Sequence, residues 1–191
     1  MDGQLKWLIV FVDVLLGLVG ILALTVYALA ISVNPPTKPM ESIKPPGQIA
    51  VSVCWPKGSN DIDTWADAPG EPKPVGYLNK VGKIWSLLLD NRGEIGGKSP
   101  ANCEAMFARD LPAGEYTVNL FGFSVSEPVS VHVEIGIGAS GEDMHTLTRQ
   151  DMIINSRQER TVIRFMVDDN GQVVPGSINQ VFRPLYIGGG S

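Results

Sequence analysis

Asp13 is the only residue charged at neutral pH between Trp7 and Val33, a stretch that reads WLIVFVDVLLGLVGILALTVYALAISV. About 20 consecutive apolar residues suffice to cross a bilayer, so this stretch predicts one transmembrane helix. A carboxylate inside such a helix costs about 2.5–3.5 kcal/mol on insertion scales, and it usually faces a partner or an ion pathway. Asp13 is therefore the first candidate functional residue, and ion translocation is the chemistry that it would perform.

Small residues share the helix face of Asp13. At about 100° per residue, Gly17, Gly20, Leu24 and Tyr27 fall on that face. Glycines let a second helix approach closely, so the pattern predicts that this face packs against another helix, as in a dimer. The alternative is a plain membrane anchor in which Asp13 only reaches toward the nearby cytoplasmic interface.

The sequence divides into five segments. Residues 1–6 form a short tail, and residues 7–33 form the predicted helix. Residues 34–47 read NPPTKPMESIKPPG, a proline-rich composition typical of an extended, semi-rigid spacer. Residues 48–187 are long enough to bury a core of their own. Residues 188–191 resemble an expression linker and do not contribute to the predicted fold.

Residues 48–187 alternate apolar and polar side chains, which predicts β-strands rather than helices. Turn signals separate the runs, and about seven to nine short strands of this kind are typical of a β-sandwich, Ig-like or jelly-roll. Pro56 to Gly82 and Asp90 to Pro100 look irregular. The predicted strands are Ile49–Val53, Lys83–Leu89, Ala101–Ala108, Tyr116–Leu120, Val129–Ile137, Ile163–Val167 and Ser177–Tyr186.

Cys54 and Cys103 are the only cysteines, and both fall in predicted strands. An even pair with none left over favours a disulfide and an oxidising compartment, and the alternative is two buried free thiols. The loop lysines weakly oppose a cytoplasmic N-terminus, since Lys6 precedes the helix and Lys38 and Lys44 follow it. We give the cysteines more weight and expect a cytoplasmic N-terminus and an external C-terminal domain.

Asp61, Asp63 and Asp67 lie close together in the sequence. Carboxylate oxygens are the ligands that Ca²⁺ prefers, so these three residues are candidate calcium ligands. The spacing and closing glutamate of an EF-hand are absent. The alternative is a polar turn that leads into a strand, and no other cofactor is expected.

Enzyme and nucleic-acid functions find little support. Trp55, Trp65 and Trp85 are either core residues or the wall of a sugar-binding face, and core is favoured because aromatic side chains dominate such interiors. The only histidines are His132 and His145, and no nucleophile, phosphate-binding or zinc motif occurs. With a net charge of −5, the chain has no excess of basic residues that would bind the phosphates of a nucleic acid.

The membrane segment resembles that of a known family. Phe11-Val12-Asp13-Val14-Leu15-Leu16, continuing through Gly17-Leu18-Val19-Gly20-Ile21-Leu22, is similar to the segment of ExbD and TolR proteins, and MotB stators use a comparable aspartate. The resemblance implies a dimer of such helices inside a pentamer of polytopic ExbB-, TolQ- or MotA-like subunits. It also implies that Asp13 carries protons or Na⁺ and so drives rotation in a bacterial inner membrane.

The resemblance covers only the membrane segment. Asp2 to Lys6 lack the Asn-Pro-type lead-in common in ExbD, and residues 48–187 resemble neither the small α/β fold of ExbD nor the OmpA-like domain of MotB. Asn60 to Trp65 resembles the Asp-x-Asp-x-Trp signature of some bacterial secreted β-sandwich modules. Leu111 to Val118 is similar to the Leu-Pro-x-Gly-x-Tyr-x-Val hairpin of Ig-like and transthyretin-like domains.

Two functions of different classes follow from these observations. The first is a membrane subunit of an ion-driven rotary motor, whose periplasmic β-sandwich acts on an unidentified envelope or cell-wall target. The second is a membrane-tethered envelope binding or scaffold module in which Asp13 only aids helix association. A carbohydrate-active enzyme is a distant third.

Overall fold

The computed structural model describes residues 2–33, 48–93, 101–138 and 143–186 of the chain. They form two compact units, an N-terminal helix and a β-domain. The predicted spacer at residues 34–47 and the predicted linker at 188–191 lie outside the described residues.

Helix α1 runs from Asp2 to Val33 without a break, over 32 residues. At 1.5 Å per residue it is about 48 Å long. Gly3–Tyr27 is the one segment among the described residues that is long and apolar enough to cross a membrane. Its large apolar side chains are exposed, as expected of a helix that lipid or other helices surround. The single apolar helix is consistent with membrane anchoring.

The described residues of the β-domain form eight strands in two antiparallel sheets, which confirms the predicted all-β class. One sheet has five strands in the order β3-β4-β1-β6-β7, and the other has three in the order β2-β5-β8. The strands are β1 Ile49–Pro56, β2 Asp61–Asp67, β3 Trp85–Leu89, β4 Ala101–Ala108, β5 Gly114–Ser124, β6 Val129–Ile137, β7 His145–Ile154 and β8 Glu159–Val167.

Side chains from both sheets meet in one core. Trp55 and Trp85 are fully buried there, and Tyr116 stacks on Phe165 with a ring-centroid distance of 5.3 Å. Trp65 is equally buried in a second cluster with Phe121 and Leu185. The three tryptophans are therefore core residues, and the sugar-binding alternative for them is wrong.

Two predicted details of the fold are wrong. The region Pro56 to Gly82, which looks irregular in sequence, contains strand β2. Ser177 to Tyr186 is not a strand, because only Asn179 forms a backbone bridge, to Arg164 of β8. The end of this segment is held instead by the Glu159 carboxylate, whose Oε1 accepts hydrogen bonds from the N–H groups of residues 185 and 186 at 2.7 and 3.0 Å.

Candidate functional site

Asp13 lies inside the Gly3–Tyr27 segment that could span a membrane. It follows Trp7, where the unbroken apolar run begins, by six residues, which is about 9 Å along the helix axis at 1.5 Å per residue. An aspartate side chain is short compared with that distance. A role of Asp13 in ion translocation stays a prediction.

Gly17 and Gly20 lie within about 40° of Asp13 around the axis of α1, taking 100° per residue. Glycine has no side chain, so this face would let the backbone of a second helix approach closely.

The β-domain holds a separate cluster of three carboxylates, Asp63, Asp90 and Glu104. One oxygen from each lies within 4.8 Å of the others. Asp63 belongs to β2, Asp90 follows the last residue of β3, and Glu104 belongs to β4. The cluster therefore joins the edge of the three-stranded sheet to the edge of the five-stranded sheet.

The strand pattern explains why Glu104 points inward. Strand β4 alternates half-buried and buried residues, and Glu104 takes a buried position between Asn102 and Met106. Its Oε2 accepts a hydrogen bond from the backbone N–H of Thr64 at 2.8 Å. Strand β2 is an edge strand, so this N–H has no neighbouring strand to bind, and the glutamate satisfies it.

A register shift in β3 places Asp90 beside Glu104. Leu87 pairs with Met106, but Leu89 pairs with Ala105, so one residue of β3 is bulged between these two pairs. Because of this bulge, the next residue, Asp90, lies beside Glu104. Bulges of this kind commonly re-aim a side chain near a site.

A pocket of about 250 Å³ opens beside the cluster. Its carboxylate wall comes from Asp61, Asp63 and Asp90, and its other walls come from Tyr77, Arg92 and Phe123. The rings of Tyr77 and Phe123 meet edge to face at 5.7 Å. The pocket gives solvent and small solutes a route to two of the three clustered carboxylates.

Burial and mutual repulsion raise the pKa of the clustered carboxyl groups. Desolvation raises the pKa of Glu104 to about 9, and Asp63 and Asp90 add to the rise against the hydrogen bond from Thr64. Desolvation, followed by the charges of Asp61 and Asp90, raises the pKa of Asp63 to about 7. Desolvation and then the charge of Asp90 also raise the pKa of Asp61, with Arg92 opposing. Full ionisation of these carboxyl groups is therefore unfavourable unless a cation is bound.

The sequence identified only part of this site. Asp63 belongs to the cluster, and Asp61 lines the pocket next to it. Asp67 does not belong, because its carboxylate forms an ion pair with Arg183 at 2.8 Å. Sequence reasoning missed Asp90 and Glu104. The pattern of β4 gave no signal for Glu104, because the uniformly apolar phase of this strand, at Ala101, Cys103, Ala105 and Phe107, is the half-buried one.

Cys54 and Cys103 form a disulfide between β1 and β4. The two residues face each other directly in the register of these neighbouring strands, with a Cα–Cα distance of 4.1 Å. Both lie in the outward phase of their strands, away from the core, so the alternative of two buried thiols is wrong.

His132 lies on the surface of the five-stranded sheet, as its outward phase in the sequence predicts. Its Nδ1 lies 2.8 Å from a carboxylate oxygen of Asp151 on the neighbouring strand. Both side chains are about half or more exposed. The pair has the character of an ordinary cross-strand contact on a solvated face.

The sequence matches no protein-family model, and neither a curated protein nor a solved structure is significantly similar to it.

Proposed function

We propose that this chain is the single-pass membrane subunit of an ion-driven rotary motor in a bacterial inner membrane, and that Asp13 carries the ion. The observation that carries the proposal is Asp13 itself, a single carboxylate inside the apolar segment Gly3–Tyr27. Lipid offers such a group no solvation, so it needs a partner or an ion pathway. The similarity of Phe11 to Leu22 to the ExbD and TolR segment supports the same function.

The glycines suggest how the carboxylate is housed. Gly17 and Gly20 follow Asp13 on one helix face, taking 100° per residue. Two copies of α1 packed through this face would bring two Asp13 side chains close to one helix pair. A surrounding pentamer of a polytopic ExbB-, TolQ- or MotA-like protein would then supply the ion pathway. The carried ion would be a proton or Na⁺.

In this proposal the β-domain is the part of the subunit that acts on a target outside the membrane. The Cys54–Cys103 disulfide favours an oxidising compartment, which in bacteria is the periplasm rather than the cytoplasm. A cytoplasmic N-terminus then places Asp13 between the two compartments. The β-sandwich would contact an envelope or cell-wall target.

The test uses the complex purified from its own host through an affinity tag at the C-terminus. The complex is reconstituted into liposomes, and uptake of protons and of Na⁺ is measured under an imposed membrane potential. The wild-type complex should pass one of these ions. Asp13→Asn should retain its partner subunits and lose at least about 90% of the flux, since an amide neither takes up nor releases a proton.

Leu22→Asn is the matched control, because it places the same amide on the opposite face of α1. This variant should keep most of the flux. Full flux in Asp13→Asn, with partners bound, would overturn the motor proposal and leave the membrane-tethered module as the better explanation.

A further inference from the structure

We propose that Asp63, Asp90 and Glu104 form a binding site for a divalent cation, and that Ca²⁺ is the ion that fits it. The site lies in the β-domain and is independent of Asp13 and of the motor function.

Buried oxygens without partners are the first argument for a ligand. Glu104 is 1% exposed and Asp63 is 4% exposed. Glu104 Oε1 and Asp63 Oδ2 have no hydrogen-bond partner among the described residues. Leaving a buried polar group unpaired is costly, so proteins rarely do it without a water, an ion or a function at that position. A cation between these carboxylates would satisfy both oxygens.

The spacing of the oxygens accommodates Ca²⁺. Ligand oxygens lie about 2.3–2.6 Å from Ca²⁺, so two of them on opposite sides of the ion are about 4.6–5.2 Å apart. One oxygen of each carboxylate lies within 4.8 Å of the others, which one Ca²⁺ ion can bridge. Mg²⁺ keeps several waters and is usually bound by one or two carboxylates, so a site with three carboxylates suits Ca²⁺ better.

The chemistry of the donors points the same way. The cluster consists of carboxylates alone, and hard oxygen ligands select Ca²⁺, Mg²⁺ or Mn²⁺ over zinc or copper. One oxygen from each of the three carboxylates leaves at least three of the six to eight ligand positions of Ca²⁺ to be filled. The pocket beside Asp63 and Asp90 has room for waters that would supply the rest.

The local charge balance matches a divalent ion. Asp61, Asp63, Asp90 and Glu104 carry four negative charges when all are ionised. Lys80 pairs with Asp90 at 2.6 Å, and Arg92 lines the pocket, so two positive charges oppose them. Two negative charges remain among these described groups, which is the charge that one divalent cation neutralises.

The bound ion would connect the two sheets at one edge of the sandwich. Asp63, Asp90 and Glu104 come from β2, the end of β3 and β4, and these elements belong to two different sheets. An ion held by all three would tie the sheets together at the edge where Glu104 already reaches the backbone of β2. The predicted effect is a Ca²⁺-dependent rise in the thermal stability of the β-domain.

The test uses the full-length chain in mild detergent, stripped with a chelator and then freed of it. Calorimetric titration with Ca²⁺ should give one site per chain. The melting temperature of the β-domain, followed by tryptophan fluorescence, should rise with Ca²⁺ concentration, because a ligand that binds only the folded state stabilises it. Mg²⁺ at the same concentration should give a smaller rise.

Two isosteric variants and one matched control locate the site. Asp63→Asn and Glu104→Gln should each weaken Ca²⁺ binding at least tenfold, since each removes one charged ligand. The amide introduced by Glu104→Gln keeps an oxygen that accepts the Thr64 N–H, so this variant should still fold. Asp67→Asn, on the same strand as Asp63 but paired with Arg183, should bind Ca²⁺ as the wild type does.

Asp90→Asn provides a further test if a core variant fails to fold, because its side chain is 10% exposed and belongs to the rim of the site. It should also weaken Ca²⁺ binding at least tenfold. Failure of the wild-type chain to bind Ca²⁺ at millimolar concentration would overturn the proposal. Wild-type affinity in a folded Asp63, Asp90 or Glu104 variant, or binding of Mg²⁺ without Ca²⁺, would overturn it equally.

Discussion

Glu104 and Thr64 join the two sheets of the β-domain through one hydrogen bond, in which the Thr64 backbone N–H donates to Glu104 Oε2 at 2.8 Å. Thr64 lies on the edge strand of the smaller sheet, and the glutamate comes from the larger one. The neighbouring outward amide of that edge strand, at Ala66, donates to the carbonyl of Val75 at 2.9 Å. These two contacts cover the edge of β2 at both positions, which protects it from pairing with another chain.

The stability of the chelator-treated protein should fall as the pH rises. Glu104 has a pKa of about 9 in the folded protein, against 4.5 for an ordinary glutamate. The folded state therefore binds more protons than the unfolded state between these values, and its free energy of unfolding decreases across that window. Asp63, with a pKa of about 7, adds a decrease over the lower part of the window.

The size of this effect should be on the order of a few kcal/mol between about pH 5 and pH 9, since each unit of pKa shift corresponds to about 1.4 kcal/mol. Urea unfolding in a chelator at several pH values measures it. Glu104→Gln should flatten most of the dependence above neutral pH, because the amide does not titrate. An equally steep dependence in that variant would show that other groups cause it.

Glu71 should be important for the position of strand β3. Its carboxylate accepts three backbone hydrogen bonds, from the N–H groups of Lys83, Ile84 and Trp85, at 2.7–2.8 Å. Bonds to a charged acceptor contribute about 1.5–3 kcal/mol each before losses elsewhere. Glu71→Ala should therefore lower the free energy of unfolding by about 2–4 kcal/mol.

Chemical denaturation followed by tryptophan fluorescence suits this measurement, because Trp85 is one of the residues that Glu71 holds. Glu127→Ala, at an exposed glutamate between β5 and β6, is the control and should change stability by less than about 0.5 kcal/mol. A Glu71 variant as stable as this control would contradict the assigned role.

The sequence predicted the fold class well because most strands expose one face and bury the other. Val129 to Ile137 alternate strictly, and that segment is strand β6 with the same bounds. Strand β7 was not predicted from the sequence. It is an edge strand in which only Met152 and Ile154 are buried, so it lacks a regular apolar alternation. Strand β2 was not predicted because it is buried continuously from Ile62 to Ala66 and shows no alternation, while its three aspartates are typical of a polar turn.

The carboxylate cluster could not be predicted from spacing alone. Asp63 and Glu104 are far apart in the sequence and meet only because β2, the edge strand of the smaller sheet, lies against β4, the second strand of the larger sheet. The position of Asp90 depends further on the bulge between Leu87 and Leu89. Asp67 has the right type and spacing for a ligand, but Arg183 from the C-terminal segment pairs with it.

The face of α1 that carries Asp13 should be the dimer contact. Leu24 lies about 20° from Asp13 around the helix and Leu22 about 180°, taking 100° per residue. Leu24→Cys should therefore give disulfide-linked dimers when membranes of the host are treated with a mild oxidant. Leu22→Cys, the same substitution on the opposite face, should give few.

Gel electrophoresis without reducing agent measures the dimer fraction directly. The native cysteines do not interfere, because Cys54 and Cys103 are already bonded to each other. Equal cross-linking of the two variants, or stronger cross-linking through Leu22, would contradict a dimer packed through Gly17 and Gly20.

The Cys54–Cys103 bond should contribute strongly to stability and should report the compartment of the β-domain. It links residues 49 positions apart, for which the chain-entropy model gives at most about 4 kcal/mol. The double variant Cys54→Ala/Cys103→Ala should lose about 2–4 kcal/mol of unfolding free energy, and most of the strand pairing between β1 and β4 should remain because the backbone ladder is intact.

Thiol labelling of denatured, unreduced protein from intact cells should find no free thiol, since a reducing cytoplasm would not preserve the bond. Two labelled cysteines would place the domain in a reducing compartment, and Asp13 would then lack the topology that the motor proposal requires.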